Sequence, residues 1–223
     1  MKVPIFSIFQ GHLTKAESLF VALLVFLFSS GLVAHIVPSL YPFTLYTTDL
    51  FLLLINGTLL YFIFRRNGDQ RLWYWVAITY LGTFIIEVLG VATGKIFGVY
   101  HYGETMLIQL WNVPLVIALN WTLLILAVNN LFLKWVEKPW LIAFLSGIVI
   151  ALYDFFIEPV AVRLDYWQWQ NNVIPLQNYL AWALVAFVFS WPLHHWKIRF
   201  NSPLLPLYLS IQLLYFILLH LLL

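Results

Sequence analysis

The chain has 223 residues, of which 63% are hydrophobic, 19% aromatic and only 9% charged, with a formal net charge of +2. Soluble domains carry about 25% charged residues, so this composition excludes an ordinary soluble protein. The small net charge gives no indication of nucleic acid as a partner, and the absence of cysteine excludes disulfides, thiolate nucleophiles and cysteine-held iron–sulfur clusters.

Seven apolar stretches follow one another along the chain, each close to the roughly 20 residues that a helix needs to cross a bilayer. The first is too long for the apolar core of a typical signal peptide, so we expect it to stay in the mature protein. The sequence predicts an all-α fold: a polytopic transmembrane bundle of about seven helices, forming a single domain over residues 1–223. The predicted spans are 18–37, 44–64, 72–93, 112–133, 139–161, 177–196 and 203–223.

The basic residues lie mostly on one side of the predicted bundle. If the N-terminus is cytoplasmic, nine of them fall on the cytoplasmic side, while only Lys95 and Arg163 fall on the other. Because cytoplasmic loops carry an excess of Lys and Arg, we predict this orientation. The two longest connections, 94–111 and 162–176, then share the opposite face. The nine residues are Lys2, Lys15, Arg65, Arg66, Arg71, Lys134, Lys138, Lys197 and Arg199.

Several ionisable residues fall inside or at the ends of the predicted spans, where a charge costs about 2.5–3.5 kcal/mol and usually marks function. Glu87 lies in the third span, and Asp154 and Glu158 lie in the fifth. Asp49 enters the second span and His35 closes the first. All five occupy the half of the bilayer under the two long connections, which makes them a candidate site. A helix cap is the alternative role for Asp49, and an interfacial position is the alternative for His35.

Asp154 and Glu158 are four residues apart, which places both carboxyls on one helix face. Two buried carboxyls this close do not both ionise easily, and a neutral carboxylic acid can donate a proton. Pro159 predicts that the helix ends near Glu158. The alternative is that the buried carboxyls are structural partners for nearby cations, namely Lys95 and Arg163.

Three glycines follow Glu87 at positions 90, 94 and 98, and they predict close helix packing if the third helix extends that far. Asn56, Asn120 and Asn178 lie in or near spans and can bridge helices or hold a water. The long connections are rich in aromatic residues, which are expected to lie at headgroup depth or to line the site. These loop residues are Tyr100, His101, Tyr102, Trp111, Tyr166, Trp167 and Trp169.

Two sequence blocks resemble the membrane carotenoid biosynthesis family that includes acyclic carotenoid hydratases. The stretch from Glu87 to Tyr102 reads E-x-x-G-x-x-T-G-x-x-F-G-x-Y-x-Y, and the stretch 154–161 reads D-x-x-x-E-P-x-A. Three shorter elements are also similar to this family: W-x-W at 167–169, P-x-x-N at 175–178, and Val-Pro at 113–114 leading to Asn-Trp at 120–121. The resemblance covers about residues 83–182. It departs at Ala181, where glycine is expected, and at 171–173, a turn expected to be richer in glycine.

The resemblance implies a hydratase, which is a lyase that adds water to the terminal C1,C2 double bond of an acyclic carotenoid end group such as that of lycopene. It also implies that the reaction needs no metal or other cofactor. Protonating such an alkene gives a tertiary carbocation, which requires an acid in a dry site, a π-rich wall and one positioned water. Asp154 or Glu158 would supply the proton, and Glu87 would activate the water. The expected substrate-binding residues are Asp49, Tyr100, Tyr102, Asn120, Trp167, Trp169 and Asn178.

The expected partners are the long apolar carotenoid, taken from the lipid phase, membrane lipids and other enzymes of carotenoid synthesis, in a prokaryotic cytoplasmic membrane. The six histidines lack the repeated boxes of membrane di-iron oxygenases, which argues against hydroxylation with oxygen. A cyclase or isomerase of carotenoid end groups would use the same acids and is the first alternative. A seven-helix transporter or receptor is the second alternative, although the last helix has no lysine for a retinal Schiff base and the chain shows no repeated halves.

Overall fold

The computed structural model describes residues 12–133 and 135–223, so that Lys2 and Lys134 lie outside the described residues. Seven α-helices are each long and apolar enough to cross a membrane, which confirms the predicted fold class and helix number. The protein is an integral, multi-pass membrane protein. The helices are α1 (Lys15–Ile36), α2 (Tyr41–Asn67), α3 (Gln70–Thr93), α4 (Leu115–Phe132), α5 (Pro139–Arg163), α6 (Leu176–His195) and α7 (Leu204–Leu222).

The outer helices expose large apolar side chains, as expected of surfaces that face lipid rather than water. Leu19 is 73% exposed, Phe26 66% and Leu221 72%. By contrast, 72% of the most apolar window of α4 is buried, compared with 22% for α1. The central helix of the bundle is therefore α4. Behind it, α5 packs closely on α6, since a Cβ on Gly147 would lie 2.6 Å from the Ala183 carbonyl oxygen.

Polar side chains close the end of the bundle that carries the basic connections. Thr14 and Glu17 form a reciprocal capping box at the start of α1. The Arg66 guanidinium bonds Glu17 Oε1 at 2.8 Å and so ties α1 to the end of α2. Gly68 ends α2 in the left-handed conformation that glycine favours. The predicted cytoplasmic position of this end stays a prediction.

The opposite end, called the far end below, consists of residues 37–40, 94–114 and 164–175. Its chain segments form two small antiparallel ribbons. In the first, β1 (Tyr100–Tyr102) pairs with β4 (Trp167–Trp169), although 64 residues separate the two strands. In the second, β2 (Gln109–Leu110) pairs with β3 (Val113–Pro114) across a two-residue turn. Asn171 and Asn172 adopt positive φ values of 58° and 56° after β4, a conformation that asparagine tolerates better than most residues, so the turn does not require glycine.

Two details of the predicted helices were wrong. The fifth helix does not end near Glu158 but continues through Pro159 to Arg163, because packing in the bundle outweighs the local cost of a proline inside a helix. The third helix ends at Thr93, so the three glycines do not form one ridge. Gly94 is its left-handed C-cap, with φ 64°, and Gly98 has φ 115° in the following loop.

Candidate active site

Three carboxyl groups from two helices meet beneath the far end of the bundle. Glu87 of α3 is 3% exposed, and Asp154 and Glu158 of α5 are 0% and 2% exposed. The amide nitrogen of Asn178, on α6, donates to Asp154 Oδ2 at 2.6 Å and to Glu158 Oε1 at 2.8 Å. The second oxygen of Asp154 has no hydrogen-bond partner among the described residues. One amide therefore holds the two acids of α5 side by side and leaves one oxygen free.

The β1–β4 ribbon supplies the other donors to these acids. The hydroxyl groups of Tyr100 and Tyr102 donate to Glu87 Oε2, the second at 2.9 Å. The indole nitrogens of Trp167 and Trp169 donate to Glu158 Oε2 at 2.9 and 2.8 Å. The pKa of both tyrosines is raised well above the ordinary value, mainly because they are buried and secondly because of the charge of Glu87. Both hydroxyls therefore remain protonated and able to donate.

Strand geometry explains why all four rings reach the acids. Side chains two residues apart on a strand point to the same face. The register places Tyr100 opposite Trp169 and Tyr102 opposite Trp167, so the four rings form one patch. Three of these rings, Tyr100, Trp167 and Trp169, are thus buried against the acids and Tyr102 is partly buried there, whereas Trp111 is 66% exposed.

Further aromatic rings form the wall of the site. Trp121 of α4 stacks on Trp182 of α6 with ring centres 3.7 Å apart, and Trp182 also stacks on Phe97 at 5.1 Å. A Cβ on Gly90 would lie 2.6 Å from Phe97 and 3.3 Å from the Tyr100 hydroxyl. Gly90 therefore makes room for this wall and for the hydroxyl that donates to Glu87. The sequence pattern had predicted helix packing as the role of this glycine.

The three acids line one small cavity, called the acid cavity, of about 20 Å³. This volume holds about one water molecule. A much larger cavity of about 330 Å³, called the main cavity, lies beside it between α1, α2, α4 and α7. Three residues line both cavities, namely Ile117, Trp121 and Trp167. A ligand in the main cavity would thus be separated from the acids only by these side chains.

The structure brings the other predicted residues to different places. Asn120 lines the main cavity, where its Oδ1 accepts from Tyr208 at 2.7 Å and from Gln212 at 2.9 Å. His35 lines the same cavity, with its ring nitrogens 3.1 Å from the Tyr215 hydroxyl and 3.4 Å from the Tyr166 hydroxyl. His35 is therefore enclosed in the bundle, not at its surface.

Asp49 lies apart from both cavities. Its Oδ2 accepts from the backbone N–H groups of Leu107 and Ile108 at 2.7 and 3.0 Å. It is 4% exposed and lies well inside α2, so it is not a cap of that helix. The carboxylate anchors the 103–110 loop, which borders the site.

The alternative that the buried carboxyls pair with nearby cations can be compared with these contacts. Across residues 12–133 and 135–223, the ion pairs join Arg66 to Glu17 and Arg71 to Asp69, and neither Lys95 nor Arg163 pairs with an acid of the site. The acids are instead bonded to neutral donors. In the same residues, no three His, Asp or Glu side chains form a group that could hold a metal ion.

Sequence reasoning missed the residues that connect the two cavities. Ile117 and Trp121 gave no separate signal as site residues, although Trp121 follows Asn120 in a family-like motif. Phe28, Tyr215 and Phe216 line the main cavity but come from α1 and α7, where only apolar periodicity was visible. Polar residues within these stretches were the available signals, namely His35, which the sequence analysis used, and Gln212, which it did not.

The comparisons with known proteins identify a family but no individual relative. No curated protein and no solved structure matches the chain significantly. The family model described as carotenoid biosynthesis protein matches residues 47–222, a range that contains all three acids and both paired strands. Because this match covers well over half of the chain, the protein belongs to the carotenoid biosynthesis protein family and has a role in that biosynthesis.

Proposed function

We propose that the protein is a hydratase that adds water to the C1,C2 double bond of an acyclic carotenoid end group. The observation that carries this proposal is the convergence of Glu87, Asp154 and Glu158 on one cavity of about single-water size, beside an apolar cavity of about 330 Å³. The end group would occupy the main cavity, while the rest of the polyene would remain in lipid.

The main cavity has the shape and chemistry for such an end group. Apolar walls with a few polar groups are typical of small-molecule sites of 300–1,000 Å³. Its rim includes Ser30 of α1 and Thr47 of α2, which are both exposed on the outer surface of the bundle. A linear hydrocarbon can therefore enter sideways between these two helices without crossing the aqueous phase.

The hydrogen bonds assign different roles to the two acids of α5. Glu158 accepts three N–H donors, which favour a carboxylate that carries the charge. Asp154 accepts one bond and keeps one oxygen free, so Asp154 would be the protonated partner and the general acid. Asn178 would hold both acids in position.

In the proposed reaction, the end group passes between the side chains of Ile117, Trp121 and Trp167 to reach the acid cavity. Asp154 transfers its proton to C2 of the alkene, and the π electrons form the new C–H bond and leave a tertiary cation at C1. The rings of Trp121 and Trp167 would stabilise this cation. Water attacks C1 through an oxygen lone pair, and Glu87 accepts the proton that water loses. Return of that proton to Asp154 restores the protein, so the net change is the addition of one water. Asp49 would act indirectly, by holding the 103–110 loop, and Asn120 would contact the substrate from the main cavity.

The test is expression in a lycopene-producing host, followed by chromatography of the pigments with mass detection. We expect a product heavier by one water. Asp154→Asn, Glu158→Gln and Glu87→Gln should each lower turnover about 100- to 10,000-fold while the protein remains in the membrane. Glu17→Gln, which removes a buried carboxyl at the other end of the bundle, is the matched control and should keep the product.

Other products would reject hydration. A cyclic or isomerised carotenoid of unchanged mass would indicate the rival reactions that use the same acids. Full activity in all three acid variants would show that the carboxyls are structural. We further propose a prokaryotic cytoplasmic membrane as the location, with the basic end of the bundle in the cytoplasm, which reporter fusions to both termini would test.

A further inference from the structure

A third cavity, called the vestibule, opens at the far end of the bundle beside the acid cavity. It has a volume of about 660 Å³, and its polar lining residues are Tyr46 of α2 and residues on β1, the 103–110 loop and the segment that follows α5. His101, Glu104 and Gln109 are exposed at its rim. Its lining includes two carboxylates, Glu104 and Asp165, and neither Lys nor Arg within the described residues. The vestibule is therefore polar and wide enough to hold bulk water.

One side chain separates the vestibule from the acids. Tyr102 lines both the vestibule and the acid cavity, and its hydroxyl donates to Glu87 Oε2 at 2.9 Å. It is only partly buried, whereas Tyr100, Trp167 and Trp169 are buried at 5–8% exposure. Of the four ring donors of the ribbon, Tyr102 alone reaches both the aqueous side and an acid.

The main cavity is a poor source of water by comparison. Its threonine hydroxyls already donate to backbone carbonyls of their own helix, Thr44 to Tyr41 at 2.6 Å and Thr48 to Thr44 at 2.6 Å. Its rim opens on the apolar surface between α1 and α2, where the carotenoid would enter. A bound polyene would also fill it during the reaction.

We propose that the vestibule is the binding site for the water substrate, and that Tyr102 passes single water molecules from it to Glu87. This inference rests on the proposed hydration. The carotenoid and the water then reach the acids by different routes, the first from lipid through the main cavity and the second from the aqueous phase through the vestibule, although Met106 lines both cavities. Such a separation keeps bulk water away from the cation while still supplying one water per turnover.

The first test does not depend on activity. Hydroxyl radicals generated from water oxidise aromatic side chains that lie next to water. In the full protein in lipid nanodiscs, Tyr102 should be oxidised at least 10-fold faster than Tyr166 and Tyr215, which line the main cavity. Equal protection of Tyr102 would overturn the proposal, whatever reaction the protein catalyses.

The second test closes the vestibule. Because the chain has no cysteine, His101→Cys or Glu104→Cys provides a single attachment point for a bulky, charged methanethiosulfonate reagent. Each labelled variant is compared with the same variant before labelling, so that any effect of the substitution itself cancels. After labelling, kcat should fall at least 10-fold with an unchanged KM for the carotenoid, and oxidation of Tyr102 should fall as well.

Two controls separate the possible explanations. Lys95→Cys, exposed at the same end but outside the vestibule lining, should lose nothing on labelling. Ser30→Cys at the rim of the main cavity should instead raise KM when labelled. Normal kcat after complete labelling at 101 and 104 would overturn the water route. If Tyr102 is oxidised rapidly and the unlabelled protein makes no product that takes oxygen from ¹⁸O-water, water reaches Tyr102 through the vestibule but is not a substrate, and it is the hydration proposal that fails.

Discussion

The two tyrosine donors to Glu87 allow a quantitative test of how the ribbon supports the chemistry. Tyr100→Phe and Tyr102→Phe each remove one hydroxyl and leave the ring in place, and both hydroxyls donate to the same Oε2 atom. A hydrogen bond to a charged group is worth about 1.5–3 kcal/mol. Each single variant should therefore lower kcat/KM roughly 10- to 150-fold.

The double variant gives the sharper result. With both hydroxyls removed, Glu87 keeps no hydrogen bond to the described residues, so the losses should not add. We expect a coupling energy of about 0.5–3 kcal/mol between the two positions, measured by a double-mutant cycle on product formation in membranes. Tyr74→Phe, at a position that is 69% exposed, is the control and should change little. Parental rates in both single variants would refute the idea that these hydroxyls support Glu87 in turnover.

Two further predictions concern stability. Gly90→Ala should destabilise the protein by about 1–3 kcal/mol in thermal unfolding in detergent, because its Cβ would lie 2.6 Å from Phe97. Gly57→Ala, with no atom within 4 Å of the new Cβ, should be neutral or slightly stabilising, and equal losses in both variants would contradict the packing argument. The Arg71 guanidinium beside Asp69 holds the pKa of that carboxyl well below its usual range. The carboxyl therefore stabilises the fold above the unfolded-state pKa of about 3.9, and this stabilisation is lost as the pH falls below that value. Asp69→Asn should accordingly lower the unfolding temperature slightly at pH 7, and the difference from the parent should shrink as the pH falls towards 3; a difference that grows on acidification would have the wrong sign.

The sequence determined the membrane-spanning helices and the depth of the acids. Burial of backbone polar groups in lipid permits only helices and closed barrels, and apolar runs of about 20 residues match helices, so apolar length alone predicts the spans to within a few residues. Helical spacing then placed Asp154 and Glu158 on one face of the fifth span, and counting from the helix ends placed Glu87 at a similar depth. Those inferences depend on local geometry, which a single sequence contains.

The partners of these acids depend on contacts between distant segments. The pairing of Tyr100–Tyr102 with Trp167–Trp169 joins strands that are 64 residues apart, and no local pattern specifies it. The anchoring of the 103–110 loop by Asp49 is equally remote in sequence. Pro159 shows the reverse effect, because packing keeps α5 helical where local preference predicted an end.

The amino-acid sequence by itself thus established a seven-helix membrane protein with acids buried at one depth, since the cost of exposing polar groups to lipid acts on each segment separately. Tertiary structure alone decided which donors reach each acid, that Tyr102 lines both the vestibule and the acid cavity, and that α1 and α7 help to form the main cavity. These features arise where several helices and two loops pack together, and packing is a property of the whole chain and not of any one segment.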